Sequence, residues 1–329
     1  MRHHLRRAKH VYETRGLVET AKATLGYVPI ELNNLAFRAR YGPGTRVIAE
    51  EWDALVLLDA CRYDMFAERA DAVAGRVGGE CHLESRISLG STSEEFLERN
   101  FGDGTFHDTV YVNTNPYLPR LGLDDGTFHA VVDLLAEWDD DLQTVRPETV
   151  VEAALSARDR FPDKRLIVHF MQPHYPFIGE TGRGIDARGW RADTSDTNGS
   201  PNGGGAVEGD SVWQRLRNGD DLDVEVVWDA YRENLDIALD HARGLADALP
   251  GRTVLSADHG NLVGERFRPI PSRRKYGHPY GVYLPELVQV PWFVVESADR
   301  PAIRADPPVE QRSPSEEDVE DRLEALGYR

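Results

Sequence analysis

Hydrophobic positions along this chain fall into two kinds of block. Short continuous apolar runs of buried-strand length end in polar turns, and stretches with apolar residues at helical spacing follow them. The first apolar run, 54–58, leads into Asp59-Ala60-Cys61-Arg62-Tyr63-Asp64 and then a predicted helix over 65–69. Further strands are predicted at 109–112, 165–170, 252–255 and 290–295. A helix is predicted from Thr92 or Ser93 to about Asn100, with Glu94 or Glu95 as capping-box partner. Pro147 opens another over 147–161. The longest spans 226–249, with Val227, Tyr231, Leu235, Ala238, Ala242 and Leu245 on one face. A last helix follows the capping signature Ser315-Glu316-Glu317-Asp318, with Gly327 as its stop.

Strands alternating with helices predict an α/β fold: a three-layer α/β/α sandwich around a mostly parallel central sheet. Gly42-Pro43-Gly44 divides a basic helical segment, 1–45, from a body of 46–300. Within that body, 179–223 is rich in Gly, Asp, Asn, Ser and Thr and is expected to be a flexible surface insertion. Residues 264–276, rich in Arg and Pro, are expected to form a long loop beside the site. A linker and helix, 301–329, complete the chain.

Charge changes the picture at the N-terminus. The chain of 329 residues has 56 acidic and 38 basic residues and a net charge of −18, with only four lysines. A strongly acidic, lysine-poor surface suits solubility at high salt, so a halophilic origin is expected from composition. The same charge argues against a nucleic-acid partner. Residues 1–46, in contrast, carry nine Arg/Lys against three Glu. Leu5, Ala8 and Tyr12, then Leu17, Ala21 and Leu25, recur there at helical spacing. Such a helix either packs on its own acidic body or makes a peripheral contact with a membrane or partner. No run of about 18 apolar residues occurs. The N-terminal residues have no apolar signal core and the two cysteines, Cys61 and Cys81, make no disulfide framework, so a cytoplasmic location is expected.

The candidate chemistry gathers at strand ends, where an open α/β sheet presents its functional groups. Asp59 follows the first strand, Thr92 stands just beyond its segment, His174 follows 165–170, and Asp258-His259-Gly260 follows 252–255. His278 lies in the next loop. Adjacent Asp and His offer a hard oxygen and a borderline nitrogen, suited to Zn or Mn and less well to Mg or Ca. Each residue also has a plainer role: Asp59 and Thr92 as helix caps, His174 and His278 as turn residues beside prolines, Asp258 as a turn former. Together they make a set of metal ligands, a hydroxyl nucleophile and further imidazoles.

The order of these segments resembles the alkaline phosphatase/sulfatase superfamily over about residues 52–296. Ala54-Leu55-Val56-Leu57-Leu58-Asp59 is similar to its first metal-ligand strand. Gln172-Pro173-His174-Tyr175-Pro176-Phe177 is similar to the sulfatase Pro-His-x-Pro-Tyr/Phe segment, and Ser256-Ala257-Asp258-His259-Gly260 to Ser-Asp-His-Gly. Val290-Pro291-Trp292-Phe293-Val294 resembles the Val-Pro strand near the domain's end, and Tyr231, Asn234 and Asp240 fit the helix before the Asp-His strand. The sulfatase Cys/Ser-x-Pro-x-Arg motif is not present, and Ala60 replaces the second Asp of the sulfatase pair. Thr92-Ser93-Glu94-Glu95-Phe96-Leu97 instead resembles the nucleophile segment of lipoteichoic-acid-synthase-type phosphoglycerol transferases, one residue shorter.

The resemblance implies a metal-dependent hydrolase or transferase of phosphate or sulfate esters acting on an anionic ester, a small molecule or glycan. Asp59, Thr92, Asp258 and His259 would hold one divalent ion, Mn, Mg, Zn or Ca. Thr92 would be the nucleophile, with Ser91 and Ser93 as the alternatives one residue away. His174 would hydrogen-bond the transferred group or protonate the leaving oxygen, and Arg62 and His278 would contact substrate. A non-catalytic sulfatase-like module at a membrane surface is the alternative.

Overall fold

The computed structural model describes residues 27–186, 211–297, 299–309 and 314–327. Seven strands form the central sheet: β1 Ala54–Leu58, β2 Glu80–Ile87, β3 Phe106–Asn113, β4 Phe128–Asp133, β5 Arg165–Phe170, β6 Arg252–Ser256 and β7 Gln289–Glu296. Their order across the sheet is β2-β7-β6-β1-β5-β3-β4. β7 runs antiparallel to both of its neighbours, and β6, β1, β5, β3 and β4 are parallel. The helices that matter for the site are α1 (27–41), α2 Ser93–Phe101, α3 Pro147–Arg160, α4 Val224–Ala248 and α5 Glu316–Ala325.

β1 reads as an unbroken apolar run, and β5 and β6 are apolar at their centres, because both faces of the sheet are covered. Alternate side chains of β1 divide between two cores. Ala54, Val56 and Leu58 join Val150 and Ala154 of α3 and Val227, Tyr231 and Leu235 of α4. Leu55 and Leu57 join Phe96, Leu97 and Phe101 of α2 on the opposite face. Phe101 packs edge-on against Phe96, Tyr111 and Phe128, which fixes α2 over the sheet.

Several expectations change. β2 and β4 are edge strands that the apolar pattern does not predict. β2, Glu-Cys-His-Leu-Glu-Ser-Arg-Ile, alternates exposed and half-buried positions and is held by pairing with β7 along its length. The expected flexible insertion 179–223 is packed at both described ends. The short helices Glu180–Asp186 and Val212–Asn218 bury Ile185 and Trp213 in the core, while 187–210 lie outside the described residues. The C-terminal linker is likewise anchored: Lys164 pairs with Asp306 at 2.6 Å, and the Val309 N–H donates to the His129 carbonyl at 2.9 Å. α5 then buries Val319 and Leu323 against Leu135. The predicted helical positions Leu5 to Leu25 lie outside the described residues, and α1 follows them. Among the described residues no helix is long and apolar enough to cross a membrane.

Candidate metal centre

Register brings the chemistry together. Leu57 of β1 is opposite both His169 of β5 and Ser256 of β6, so the three parallel strands end level with one another. Asp59, Asp258-His259 and the Pro173-His174 turn therefore emerge at one edge. The backbone tightens the join. Ala60 has φ +60°, a left-handed conformation uncommon for a residue with a Cβ. Its N–H donates to Asp258 Oδ1 at 3.0 Å and its carbonyl accepts the Tyr231 hydroxyl from α4. The Ser88 hydroxyl donates to the Asp258 carbonyl from the end of β2.

Two buried carboxylates face two imidazoles. Asp59 Oδ2 accepts hydrogen bonds from Ser93 Oγ (3.0 Å) and Asn115 Nδ2 (2.8 Å). Asp258 Oδ1 accepts from the backbone N–H groups of Ala60 and His259. The other oxygen of each, Asp59 Oδ1 and Asp258 Oδ2, is buried without a hydrogen bond, and so is His169 Nε2. His169 Nε2 lies 3.7 Å from Asp59 and 3.8 Å from Asp258. His259 Nε2 lies 3.7 Å from Asp59, 3.5 Å from Asp258 and 3.3 Å from Ser93 Oγ.

The outer nitrogen of each ring is engaged: His259 Nδ1 with the Gly260 carbonyl at 2.7 Å, His169 Nδ1 with the Tyr111 hydroxyl at 2.9 Å. The bond to a carbonyl makes His259 Nδ1 the donor and turns Nε2 toward the carboxylates. An outer partner holding the ring while the inner nitrogen points inward is how metal-ligating histidines are built.

The electrostatics agree with a cation. Burial, and then the charge of Asp258, raise the Asp59 carboxyl well above the usual carboxylate range. Burial would also raise Asp258, but the neighbouring His259 and His169 rings and the hydrogen bond from the Ala60 N–H bring it below that range. Burial pushes His169 down to about 4, so its ring is neutral at neutral pH. Two buried carboxylates this close oppose each other's ionisation, and a cation between their orphaned oxygens would relieve that opposition. Asp59, His169 and Asp258 each present one ligand atom, all within 4.8 Å of one another. A mixed oxygen and nitrogen donor set of this size fits a divalent ion.

The residues singled out from sequence are placed as follows. Asp59, Asp258 and His259 converge. Thr92 does not join them. Its Oγ1 accepts the Glu95 N–H at 3.1 Å and caps α2, so the hydroxyl that faces Asp59 and His259 is that of Ser93, one residue on. An N-cap side chain folds back over its own helix, which turns Thr92 away from the carboxylates. Ser91 is directed elsewhere, donating to Glu95 Oε2 and the Pro279 carbonyl. Arg62 is not available to an anion. Its guanidinium is shared between Asp64, Glu265 and the Asn261 carbonyl and lies 4.8 Å over the Trp228 ring. His174 and His278 do reach the site. Their Nε2 atoms are 3.0 Å apart, and the His278 ring is 4.6 Å from that of His259. His169 belongs to no motif. Its one signal is a titratable group at an inward position of an otherwise apolar strand end.

Neighbouring side chains hold these parts in place. Asn234 Nδ2 donates to the carbonyls of Pro173 and His174 at 3.1 Å each, and its Oδ1 accepts the Ile178 N–H. Glu95, wholly buried, accepts from the Ser91 N–H, the Gly281 N–H and the Tyr283 hydroxyl, and pairs with Arg99 at 2.6 Å. It thus ties the first turn of α2 to the loop carrying His278. Gly260 permits the close packing behind His259, since a Cβ there would meet the Glu286 carbonyl at 2.3 Å.

No family model matches the chain, and no curated protein sequence does either. Among solved structures it is similar to the integral membrane protein lipooligosaccharide phosphoethanolamine transferase A (EptA) of Neisseria meningitidis, with 12% identity and TM-score 0.47 over 90% of this chain. The chain spans 59% of EptA's length. It is also similar to the C-terminal periplasmic domain of EptC from Escherichia coli, with 11% identity and TM-score 0.42 over 78% of this chain and 76% of that one. That domain has also been solved in complex with Zn. A candidate sulfatase of Bacteroides thetaiotaomicron matches at 12% identity and TM-score 0.44, over 78% of this chain and 66% of its own. These are likenesses of backbone arrangement.

Proposed function

We propose that this chain is a metal-dependent phosphoester or sulfate-ester hydrolase or transferase, with Ser93 as its nucleophile. The observation that carries the reading is the Ser93 hydroxyl, 3.0 Å from Asp59 and 3.3 Å from His259, above buried carboxylate oxygens that lack partners. Asp59, Asp258, His259, His169 and the Ser93 hydroxyl are the groups that would hold the ion. When bound, a divalent ion supplies positive charge that lowers the hydroxyl's pKa and neutralises ester oxygen.

Ser93 opens α2, so its oxygen lies where the helix N-terminus favours negative charge. In the first step Ser93 Oγ forms a bond to phosphorus or sulfur while the bond to the leaving oxygen breaks. The hydroxyl proton has Asp59 Oδ2 as its nearest acceptor, and the leaving oxygen takes a proton from solvent. Water or an acceptor hydroxyl then attacks the phosphorus or sulfur and gives up its proton to solvent, the bond to Ser93 Oγ breaks, and Ser93 Oγ recovers the proton held by Asp59. His174 Nδ1 donates to the Tyr175 carbonyl, so the proton between the facing Nε2 atoms of His174 and His278 resides on His278. Burial lowers His174 to about 4 and His278 well below its ordinary value. The pair is therefore neutral at neutral pH and is not a proton source; with its two N–H groups given to the Tyr175 carbonyl and to His174 Nε2, it holds the His278 ring beside that of His259.

The test is turnover of p-nitrophenyl phosphate, bis-p-nitrophenyl phosphate and p-nitrophenyl sulfate with added Mn, Zn, Mg or Ca, and mass spectrometry of protein quenched during turnover. A phosphoryl or sulfuryl adduct assigned by fragmentation to Ser93 itself supports the reading. An adduct on Thr92, or neither metal binding nor turnover, overturns it.

A further inference from the structure

The surface around α1 differs in character from the rest of this acidic chain. α1 turns Asn33, Asn34 and Phe37 inward, whereas Val28, Leu32 and Leu35 are 48%, 48% and 63% exposed. Their spacing of four and three residues places them in one stripe. The loop 266–274 packs beside the helix. Asn33 Nδ2 donates to the Ile270 carbonyl at 2.9 Å, and the Ile270 N–H donates back to Asn33 Oδ1 at 2.8 Å. Helix and loop are thereby joined side by side. To the apolar stripe they add the exposed side chain of Ile270 and six exposed arginines: Arg38 and Arg40 from α1, Arg266, Arg268, Arg273 and Arg274 from the loop.

We propose that α1 and the loop 266–274 form a docking surface for an anionic lipid bilayer. Charge complementarity selects this occupant. In a chain of net charge −18, the bulk of the molecule is repelled by an anionic bilayer and this face is attracted. Residues 1–26, which lead into α1, carry six Arg/Lys against two Glu and add charge of the same sign. The stripe projects from a helix, where leucines can enter the boundary between headgroups and acyl chains while arginines stay at phosphate level. A second copy of this chain is a poorer occupant, because a two-fold contact would set six arginines against six.

Docking would have a fixed relation to the loop that carries His278. Asn34 Nδ2 donates to the Gly281 carbonyl at 2.8 Å and its Oδ1 accepts the Tyr283 N–H at 2.9 Å. The face that meets lipid thus buttresses the loop beside the metal centre. The docking itself does not depend on the chemistry of that centre.

The full chain is sedimented with vesicles of phosphatidylcholine alone and of phosphatidylcholine with about one-third phosphatidylglycerol, over a series of salt concentrations. Binding to the anionic vesicles is expected to exceed that to neutral ones by about tenfold or more and to fall as salt rises. Arg268→Gln and Arg273→Gln are each expected to cost about fivefold. The double variant Leu32→Ser/Leu35→Ser is expected to lose about tenfold or more, with thermal melting unchanged as the folding control. Equal binding to both vesicle types overturns the proposal. So does a double variant that binds like the parent, which would assign the contact to residues 1–26. A dimer in sedimentation equilibrium that the double variant dissociates, without vesicle binding, assigns the stripe to self-association and also overturns it.

Discussion

Ser93 Oγ donates to Asp59 Oδ2 at 3.0 Å, linking the first turn of α2 to the end of β1 across 34 residues of sequence. The neighbouring hydroxyl, Thr92 Oγ1, is occupied as the cap of the same helix. Two adjacent hydroxyls thus have separate tasks, and substitution separates them. Ser93→Ala is expected to lower turnover by at least about 10³-fold with little change in melting. Thr92→Ala is expected to cost about 1 kcal/mol of stability, the usual value of a lost cap, and to keep most of the activity. Parallel assays and thermal melts check this, and the reverse pattern would return the nucleophile to Thr92.

On the proposed reading, metal addition and removal are expected to act through Asp59. Saturating metal at about 100 times its Kd is expected to stabilise the parent protein by about 2.7 kcal/mol, and a chelator to reverse the gain. Asp59→Asn is expected to lose that response. Its metal-free form, however, should melt no lower than the metal-free parent, because the substitution removes a buried charge that Asp258 opposes. Scanning fluorimetry with and without metal measures both, and a metal response retained in Asp59→Asn would exclude this carboxylate as a ligand.

Tyr111 offers a test of His169. Its hydroxyl is bonded to His169 Nδ1 at 2.9 Å and contacts no carboxylate of the site by hydrogen bond. Tyr111→Phe is expected to weaken metal binding by about 10- to 100-fold, the usual cost of losing a ligand's outer partner. Titration calorimetry reads the change, and an unaltered affinity would remove His169 from the ligand set.

Asp133, at the end of β4, provides a pH dependence remote from the metal. Burial raises its pKa to about 6, against the opposing hydrogen bond from Asn113. A carboxyl with a raised folded-state pKa binds its proton more tightly when folded. Its contribution is fully present below the ordinary carboxylate value of 3.8 and is lost as pH rises through about 6. Asp133→Asn is therefore expected to raise stability at pH 7 by on the order of 1 kcal/mol and to flatten the dependence between pH 4 and 6. Denaturant melts at several pH values check the sign.

The parts of this molecule that are legible in the sequence are those with local causes. β1 is buried on both faces and apolar without interruption, and the Thr253-Val254-Leu255 centre of β6 is likewise buried, so Asp59 and Asp258-His259 stand out as polar groups that follow such runs. β2 is invisible because its partner β7 supplies the pairing and solvent covers much of it. His169 is hidden for the opposite reason, since a histidine inside an apolar strand reads as packing until the facing carboxylates are known. Thr92 and Ser93 are equally good caps by sequence. Which hydroxyl turns toward Asp59 depends on where α2 sits over the sheet, and Phe96 and Phe101 set that through contacts distant in the chain. The insertion 179–223 looks unstructured by composition, yet Trp213 and Ile185 bury its two ends.

Tyr231 and Asn234 are three residues apart, hence on one face of α4, and one holds the Ala60 carbonyl while the other holds the carbonyls of Pro173 and His174. The helix acts as a gauge block between the strand that ends in Asp59 and the imidazole turn. Its pitch sets their separation, so this stretch tolerates changes of side chain far better than changes of length. A single-residue deletion between the two would rotate one of them by about 100° and release one jaw of the site while the hydrophobic face of α4 still found a core to cover.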